Sequence, residues 1–257
     1  MNMELLAFET SGSGRPVIFI HGWNMAASVW HHQLDYFART DVEALAVDLR
    51  GHGASAGMTP FTVLQSARDI KDLVDNKRYD RPVIVGWSMG AMVAIEYALR
   101  CPGVAAGICL VGGSPRFTMT EDFPHGLPPK DLQGMKLKLR RDFKRCIGDF
   151  RAAISSDLSP DEKMLVANVP LPTACAAMEG LEELASVDLR PRLEQINIPV
   201  LLIHGSEDRV CLPGASAYME GEIKGSERIL IEGAGHLPFL SHRKEFNEVL
   251  EKFIRRI

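Results

Sequence analysis

Apolar runs recur along the chain at 17–20, 42–47, 82–86, 107–112, 199–204 and 228–232, and most of the stretches between them carry helical patterns. Strand-like runs separated by helical spacers predict an α/β fold, a mostly parallel central sheet flanked by helices. The alternation lapses between about 113 and 190, where no comparable run occurs and Pro124, Pro128, Pro129, Pro160, Pro170 and Pro172 punctuate helical patterns. This stretch reads as a helical lid inserted between two strands, so that 1–112 and 191–257 form the core and 113–190 the insertion. The opening segment Met1–Glu9 lacks a basic start and a long apolar run, which argues against a secretory signal and for the beginning of the first strand. No internal repeat or low-complexity tract interrupts the pattern.

Inside the insertion, Leu132, Met135, Leu139, Phe143, Cys146, Ile147 and Phe150 recur at spacings of three or four, the apolar stripe of one amphipathic helix. Its other positions are strongly basic. Eight lysines and arginines between 130 and 151, among them Arg140, Arg141, Lys144, Arg145 and Arg151, face three aspartates in a chain whose net charge is −4. Such asymmetry suits either an acidic partner or a solvated face. A nucleic-acid partner fits poorly with an isoelectric point of about 6.1.

The chemistry concentrates at Gly86-Trp87-Ser88-Met89-Gly90, a G-x-S-x-G motif. Pro82-Val83-Ile84-Val85 before it reads as a buried strand, and Ala91–Leu99 after it reads as a helix ended by Cys101-Pro102. A strand-to-helix turn this sharp needs small residues at Gly86 and Gly90 and presents the serine hydroxyl above the sheet, as in a nucleophile elbow. A serine is a weak nucleophile unless a histidine takes its proton and a carboxylate orients that histidine. Asp208 follows the strand-like run at 199–204, and His236 follows the run at 228–232 in the glycine-flanked loop Gly233-Ala234-Gly235-His236. The order Ser88, Asp208, His236 is that of an α/β-hydrolase, and all three fall at the carboxyl edge of the predicted sheet.

Glu207 adjoins Asp208, and only motif position separates the two carboxylates. Of the eight histidines, His31, His32 and His242 lie in polar helix-like segments, and His21 reads as a turn-stabilising group. Asp48 precedes the turn Arg50-Gly51-His52-Gly53, where a short carboxylate holds local backbone N–H groups. The oxyanion formed during acyl transfer needs two backbone donors. Met89, after the nucleophile, and Trp23, in the loop after the first parallel strand, occupy those positions. Trp23 has a double reading, backbone donor and side-chain wall of the acyl pocket, with an ordinary core aromatic as the alternative.

Composition changes this picture little. The 257 residues are 46% hydrophobic and 24% charged, ordinary for one globular enzyme domain, and no stretch reaches the roughly 20 apolar residues of a membrane span. Five widely spaced cysteines without a C-x-x-C argue against a disulfide framework or a metal site, and for reduced thiols in the cytoplasm. No cofactor is expected, and a monomer is the simplest assembly.

A resemblance covering essentially the whole chain adds to this reading. His21-Gly22-Trp23, the elbow, Gly113-Ser114-Pro115-Arg116-Phe117, Ser186-Val187-Asp188-Leu189-Arg190 and Gly235-His236-Leu237-Pro238-Phe239-Leu240-Ser241-His242 resemble the pimeloyl-acyl carrier protein methyl ester esterases of biotin synthesis, a group of α/β-hydrolases. The resemblance implies Ser88, Asp208 and His236 as the catalytic set, Trp23 and Met89 at the oxyanion, and a substrate-lining segment at Phe150, Arg151, Ala152, Ala153 and Ile154. It also implies an acyl carrier protein, an acidic partner, which would dock on Arg140, Arg141, Lys144, Arg145 and Arg151. Departures are Arg151, where an apolar wall is expected, and an Asp208-to-Pro213 spacing one residue longer than usual. Rival activities on the same scaffold are a general short-chain carboxylesterase, a carbon–carbon bond hydrolase and, without catalysis, a hydrolase-fold binding protein.

Overall fold

The computed structural model describes residues 5–257; the first four residues of the segment expected to open a strand lie outside them. Seven strands form one sheet: β1 (Phe8–Gly12), β2 (Arg15–Ile20), β3 (Val42–Val47), β4 (Val83–Trp87), β5 (Gly107–Val111), β6 (Val200–Gly205) and β7 (Glu227–Ile231). Their spatial order is β1-β3-β2-β4-β5-β6-β7. Only β1 is antiparallel, pairing along the edge of β3, and the other pairings are parallel. All six predicted runs are strands. β1 had only its position to announce it, because Phe8-Glu9-Thr10-Ser11-Gly12 is a half-exposed edge strand without an apolar run.

The central parallel strands are largely apolar because each face meets helices. Ile18 and Ile20, Leu45 and Val47, Ile84, Ile108 and Leu202 point to one side, and Val17 and Phe19, Ala44 and Ala46, Val85, Cys109 and Leu201 to the other. The first side is covered by α2 (Val63–Lys77) and α3 (Met89–Arg100), the second by α1 (His31–Phe37).

Between β5 and β6 come four helices, α4 (Pro129–Arg141), α5 (Phe143–Ile154), α6 (Pro160–Asn168) and α7 (Ala174–Ser186). After β6 follow α8 (Pro213–Glu222), α9 (Pro238–Ser241) and α10 (Arg243–Arg256), with α8 joining the first layer and α10 packing beside α1. The single amphipathic helix expected across 130–151 is corrected to two. Asp142 leaves helical geometry (φ −153°, ψ 90°), ends α4, and accepts the N–H of Arg145 as the N-cap of α5. The two helices still share the apolar stripe, for Leu132, Leu139, Cys146 and Ile147 are all buried.

The segments on either side of these four helices are clasped together. Arg116 and Asp188 form an isolated antiparallel bridge, Asp188 Oδ2 accepts from Arg116 Nη1 at 2.8 Å and from Arg190 Nη2 at 2.8 Å, and Leu189 N–H donates to Pro115 O. The two segments Gly113–Phe117 and Ser186–Arg190, far apart in sequence, thus meet at the base of the inserted helices. Among the described residues no helix is long and apolar enough to cross a membrane, and no cluster of three potential metal ligands occurs. All five cysteines are free; Cys109, Cys146 and Cys211 are buried, and Cys175 is exposed.

Candidate active site

Ser88 sits between β4 and α3 with φ 55° and ψ −117°, a left-handed conformation that non-glycine residues seldom adopt. The turn is enforced by its glycines. A Cβ on Gly86 would stand 2.2 Å from Gly90 O, and one on Gly90 would stand 2.5 Å from Ile20 O. Ser88 N–H is anchored to Val111 O at 2.9 Å, which fixes the elbow to β5.

Asp208 and His236 meet beside it. Asp208 Oδ2 lies 2.8 Å from His236 Nδ1, with both side chains sealed from solvent. The other carboxylate oxygen accepts N–H groups of Val210 and Cys211 at 2.8 and 3.1 Å, so the loop after β6 closes on the acid. Burial alone would raise the Asp208 carboxyl; the attraction of His236 and hydrogen bonds from His204 and His236 outweigh it and hold the group well below the usual carboxylate range. Glu207, the neighbouring candidate, is exposed.

Three features hold the His236 loop in place. Trp87, next to Ser88, donates its indole N–H to His236 O at 2.9 Å, and the two rings lie 5.3 Å apart. Gly112 (φ 48°) leaves room for both partners, since a Cβ there would stand 3.2 Å from Asp208 Oδ2 and 3.4 Å from His236 Nδ1. Gly235 N–H donates to Asp157 Oδ2, from the loop after α5, at 3.1 Å. Among the described residues Ser88 Oγ is not hydrogen-bonded to His236. Burial and the charge of Asp208 drive the Cys211 thiol well above its usual range, while the Ser88 hydroxyl acts the other way. Ligand-free sites commonly leave such bonds unmade, and a turn of the serine about χ1 changes its partner.

The loop after β2 lies on the far side of Ser88. A Cβ on Gly22 would stand 3.1 Å from Ser88 Cβ, which brings Trp23 alongside the nucleophile. Met89 opens α3, where the first N–H groups have no intrahelical acceptor, and among the described residues neither Met89 N–H nor Trp23 N–H finds a partner. The positive end of a 12-residue helix therefore begins at the nucleophile, with two unspent donors in its neighbouring residues. The Trp23 side chain is buried, donates to Ala177 O of α7 at 2.9 Å, and meets Phe150 edge-on at 5.0 Å.

His21 and Asp48 hold turns, as their positions predict. His21 Nε2 accepts from Leu49 N–H and Nδ1 donates to Gly22 O; burial lowers the ring to about 4, so it stays neutral at pH 7. Asp48 accepts from Ala27 and Ala54 N–H at 2.7 and 2.8 Å.

The inserted helices divide the expected substrate-lining segment. Ala153 and Ile154 line a cleft of about 350 Å³ that reaches His236, with Asp157 and Val210. Phe150 packs on Trp23, whereas Arg151 and Ala152 face a separate cavity of about 640 Å³ between α5 and α6, with Ile147, Val169 and Leu171. Arg140, Arg141, Lys144 and Arg145 are exposed on α4 and α5. Arg151 is not. Its placement on the docking face is corrected: the side chain turns inward, is 3% exposed, and donates to carbonyl oxygens of Asn24, Val169 and Pro170.

Several site residues were silent in the sequence. His204 donates Nε2–H to Cys211 O at 2.7 Å and has that nitrogen 3.4 Å from Asp208 Oδ2. Its position four residues before the acid, on the same strand end, was the only signal. Asp157, Asn24 and Cys211 carried none, since each acts through a contact made across the fold.

Residues 17–249 match the alpha/beta hydrolase family. A protein of Nitrosomonas europaea named pimeloyl-[acyl-carrier protein] methyl ester esterase is 30% identical over 95% of this chain and 97% of its own length. One of Nitrosospira multiformis with the same name is 31% identical over 99% of this chain and 100% of its own. Among solved structures, an esterase from Exiguobacterium antarcticum superposes with a TM-score of 0.89 at 25% identity, covering 97% of this chain and 95% of that one. Its seven-stranded sheet, its serine elbow and these relatives assign the chain to the alpha/beta hydrolase family, among the carboxylic ester hydrolases of the pimeloyl-[acyl-carrier protein] methyl ester esterase type.

Proposed function

We propose that the protein hydrolyses the methyl ester of a pimeloyl chain carried on acyl carrier protein, releasing methanol and the free carboxylate. The observation that carries this reading is the buried Asp208–His236 pair at 2.8 Å beside an elbow serine, in a chain similar along nearly its whole length to esterases named for that substrate.

Asp208 fixes the imidazole with Nδ1–H toward the carboxylate, which leaves Nε2 as the base. Ser88 Oγ attacks the ester carbonyl as His236 takes its proton, and the N–H groups of Trp23 and Met89 hold the tetrahedral oxyanion. His236 returns the proton to the departing methoxide. Water then attacks the acyl-serine with His236 again as base, and the carboxylate leaves.

The basic surface supports the carrier as partner. With Arg151 inside, seven cations remain against three aspartates between 130 and 151, a surplus of four on the exposed side of α4 and α5. An acidic carrier is steered to that face while its acyl arm reaches the cleft at Ala153, Ile154 and His236. In this reading the helices of 113–190 act as a lid over the site.

The test is methanol release from the carrier-bound pimeloyl methyl ester. Wild type turns it over, Ser88→Ala does not, and an organophosphate labels wild type at Ser88 alone. Equal efficiency on short free esters and on the carrier-bound substrate would make the protein a general carboxylesterase instead.

A further inference from the structure

We propose that Arg151 is a positioning residue for the oxyanion, a bolt through which the inserted helices hold the loop that carries the Trp23 donor. The inference rests on the serine-esterase reading above and concerns how that site is kept in working geometry.

The guanidinium spends its donors on two segments. Nε donates to Asn24 Oδ1 at 3.1 Å and Nη2 to Asn24 O at 2.6 Å. Nη1 donates to Val169 O at 2.6 Å and Ala167 O at 3.4 Å, and Nη2 also donates to Pro170 O at 3.1 Å. The first pair belongs to the loop after β2, and the others to the last turn of α6 and the connection that follows it. No carboxylate stands among these partners. Burial lowers the guanidinium to about 10, which still leaves it charged at neutral pH. A buried cation without a counter-ion is costly, and here only oriented carbonyl dipoles offset the cost.

What the cation grips is the residue after Trp23. Asn24 has φ 55°, a left-handed conformation, and both of its oxygens point to Arg151. Its amide nitrogen Nδ2 is buried without a partner, so the side chain is oriented by Arg151 rather than by its own donors. The neighbouring pair acts in parallel. Phe150 meets the Trp23 ring edge-on at 5.0 Å, and the Trp23 indole N–H is held by Ala177 O at 2.9 Å. Two consecutive residues of α5 therefore grip two consecutive residues of the loop.

The Trp23 amide itself has no acceptor among the described residues, so its direction is set by how its neighbours are fixed. A donor aimed at a developing negative charge is useful only if it does not reorganise during the reaction. Fastening the next residue through a forked, two-point hydrogen bond removes that freedom. Arg151 touches neither nucleophile nor base, and its role is geometric.

The test uses the full chain with a short p-nitrophenyl ester, which does not involve the carrier. Arg151→Met lowers kcat by roughly 10- to 100-fold with KM unchanged within about threefold, less than the roughly 100- to 1,000-fold seen when an oxyanion donor is deleted outright. In Arg151→Ala, whose shortened side chain leaves room for it, millimolar ethylguanidinium restores part of the lost rate. Arg151→Lys, which keeps the charge but loses the fork, remains impaired. Inhibition by a trifluoromethyl ketone, which mimics the tetrahedral oxyanion, weakens in parallel with kcat.

A variant that melts like wild type and retains kcat within about threefold overturns the proposal, as does a loss confined to KM. Should Arg151→Met fail to fold, Arg151→Lys and Asn24→Gly carry the test. Their losses are expected to be non-additive in the double variant, because they break one shared contact, and additive losses overturn the proposal. If the organophosphate fails to label Ser88 in wild type, the esterase reading itself falls; labelling with undiminished Arg151→Met turnover removes only the bolt.

Discussion

Asp208 Oδ2 and His236 Nδ1 stand 2.8 Å apart, joined across 28 positions of sequence and sealed from solvent on both sides. The contact selects one tautomer of the imidazole. A neutral amide at 208 accepts or donates with equal ease, so the ring loses its preferred orientation and proton position. Asp208→Asn is therefore expected to lower kcat by about four orders of magnitude, the loss known for the equivalent change in a serine protease, in an ester-hydrolysis assay. Glu207→Gln, altering an exposed neighbour, leaves kcat within about twofold.

Gly86 has no space for a methyl group, because a Cβ would stand 2.2 Å from the carbonyl oxygen of Gly90. Backbone at both ends of the clash cannot yield as a flexible side chain would. Gly86→Ala is expected to destabilise the fold by about 2–3 kcal/mol and to abolish turnover, read by urea denaturation and by the esterase assay. Gly134→Ala, at a helical position where a Cβ meets nothing within 4 Å, serves as the control and is neutral or slightly stabilising.

Asp188 clasps the two ends of the inserted helices, and the hydrogen bond from Arg190 chiefly holds its carboxyl down to about 2, against burial and with help from Arg116. A carboxylate depressed in the folded state stabilises fully above its unfolded value near 4 and loses that contribution as pH falls toward 2. Because the group is partly solvated, Asp188→Asn is expected to cost about 1–2 kcal/mol at pH 7. The gap between wild type and variant in urea melts shrinks to roughly half at pH 3.

Arg140, Arg141, Lys144 and Arg145 are exposed on the outer side of α4 and α5. Replacing all four by glutamate is expected to raise KM for a carrier-bound ester by tenfold or more, on the order of the effect of reversing rim charges on association, while small esters keep their kcat/KM. The wild-type KM for the carrier-bound ester rises with salt over the range where the Debye length falls below about 10 Å. Equal changes on both substrates would make this face merely solvated.

Much of the scaffold was legible because its determinants are local. The six runs are strands, and the central ones are apolar because helices cover both faces, as at Val17-Ile18-Phe19-Ile20; β7, at the other edge, is only half-buried. The edge strand Phe8–Gly12 lacks that signature because one side of it is open. The helix across 130–151 split because a single short acid, Asp142, caps a new helix more favourably than it continues an old one.

The sequence by itself determined the sheet, the glycine-bound elbow at Ser88 and the order of the three chemical groups, because chain chemistry within a few residues enforces each of them. Only the tertiary structure put Asp208 rather than Glu207 against His236, since the two differ in burial rather than in kind. It alone withdrew Arg151 from the surface, because a positive side chain on an amphipathic helix reads as solvated until the carbonyls of Asn24, Val169 and Pro170 are brought around it. Contacts between segments more than a hundred residues apart leave no periodicity in the chain, and Trp87 with His236, Trp23 with Ala177 and Arg151 with Asn24 are contacts of that kind.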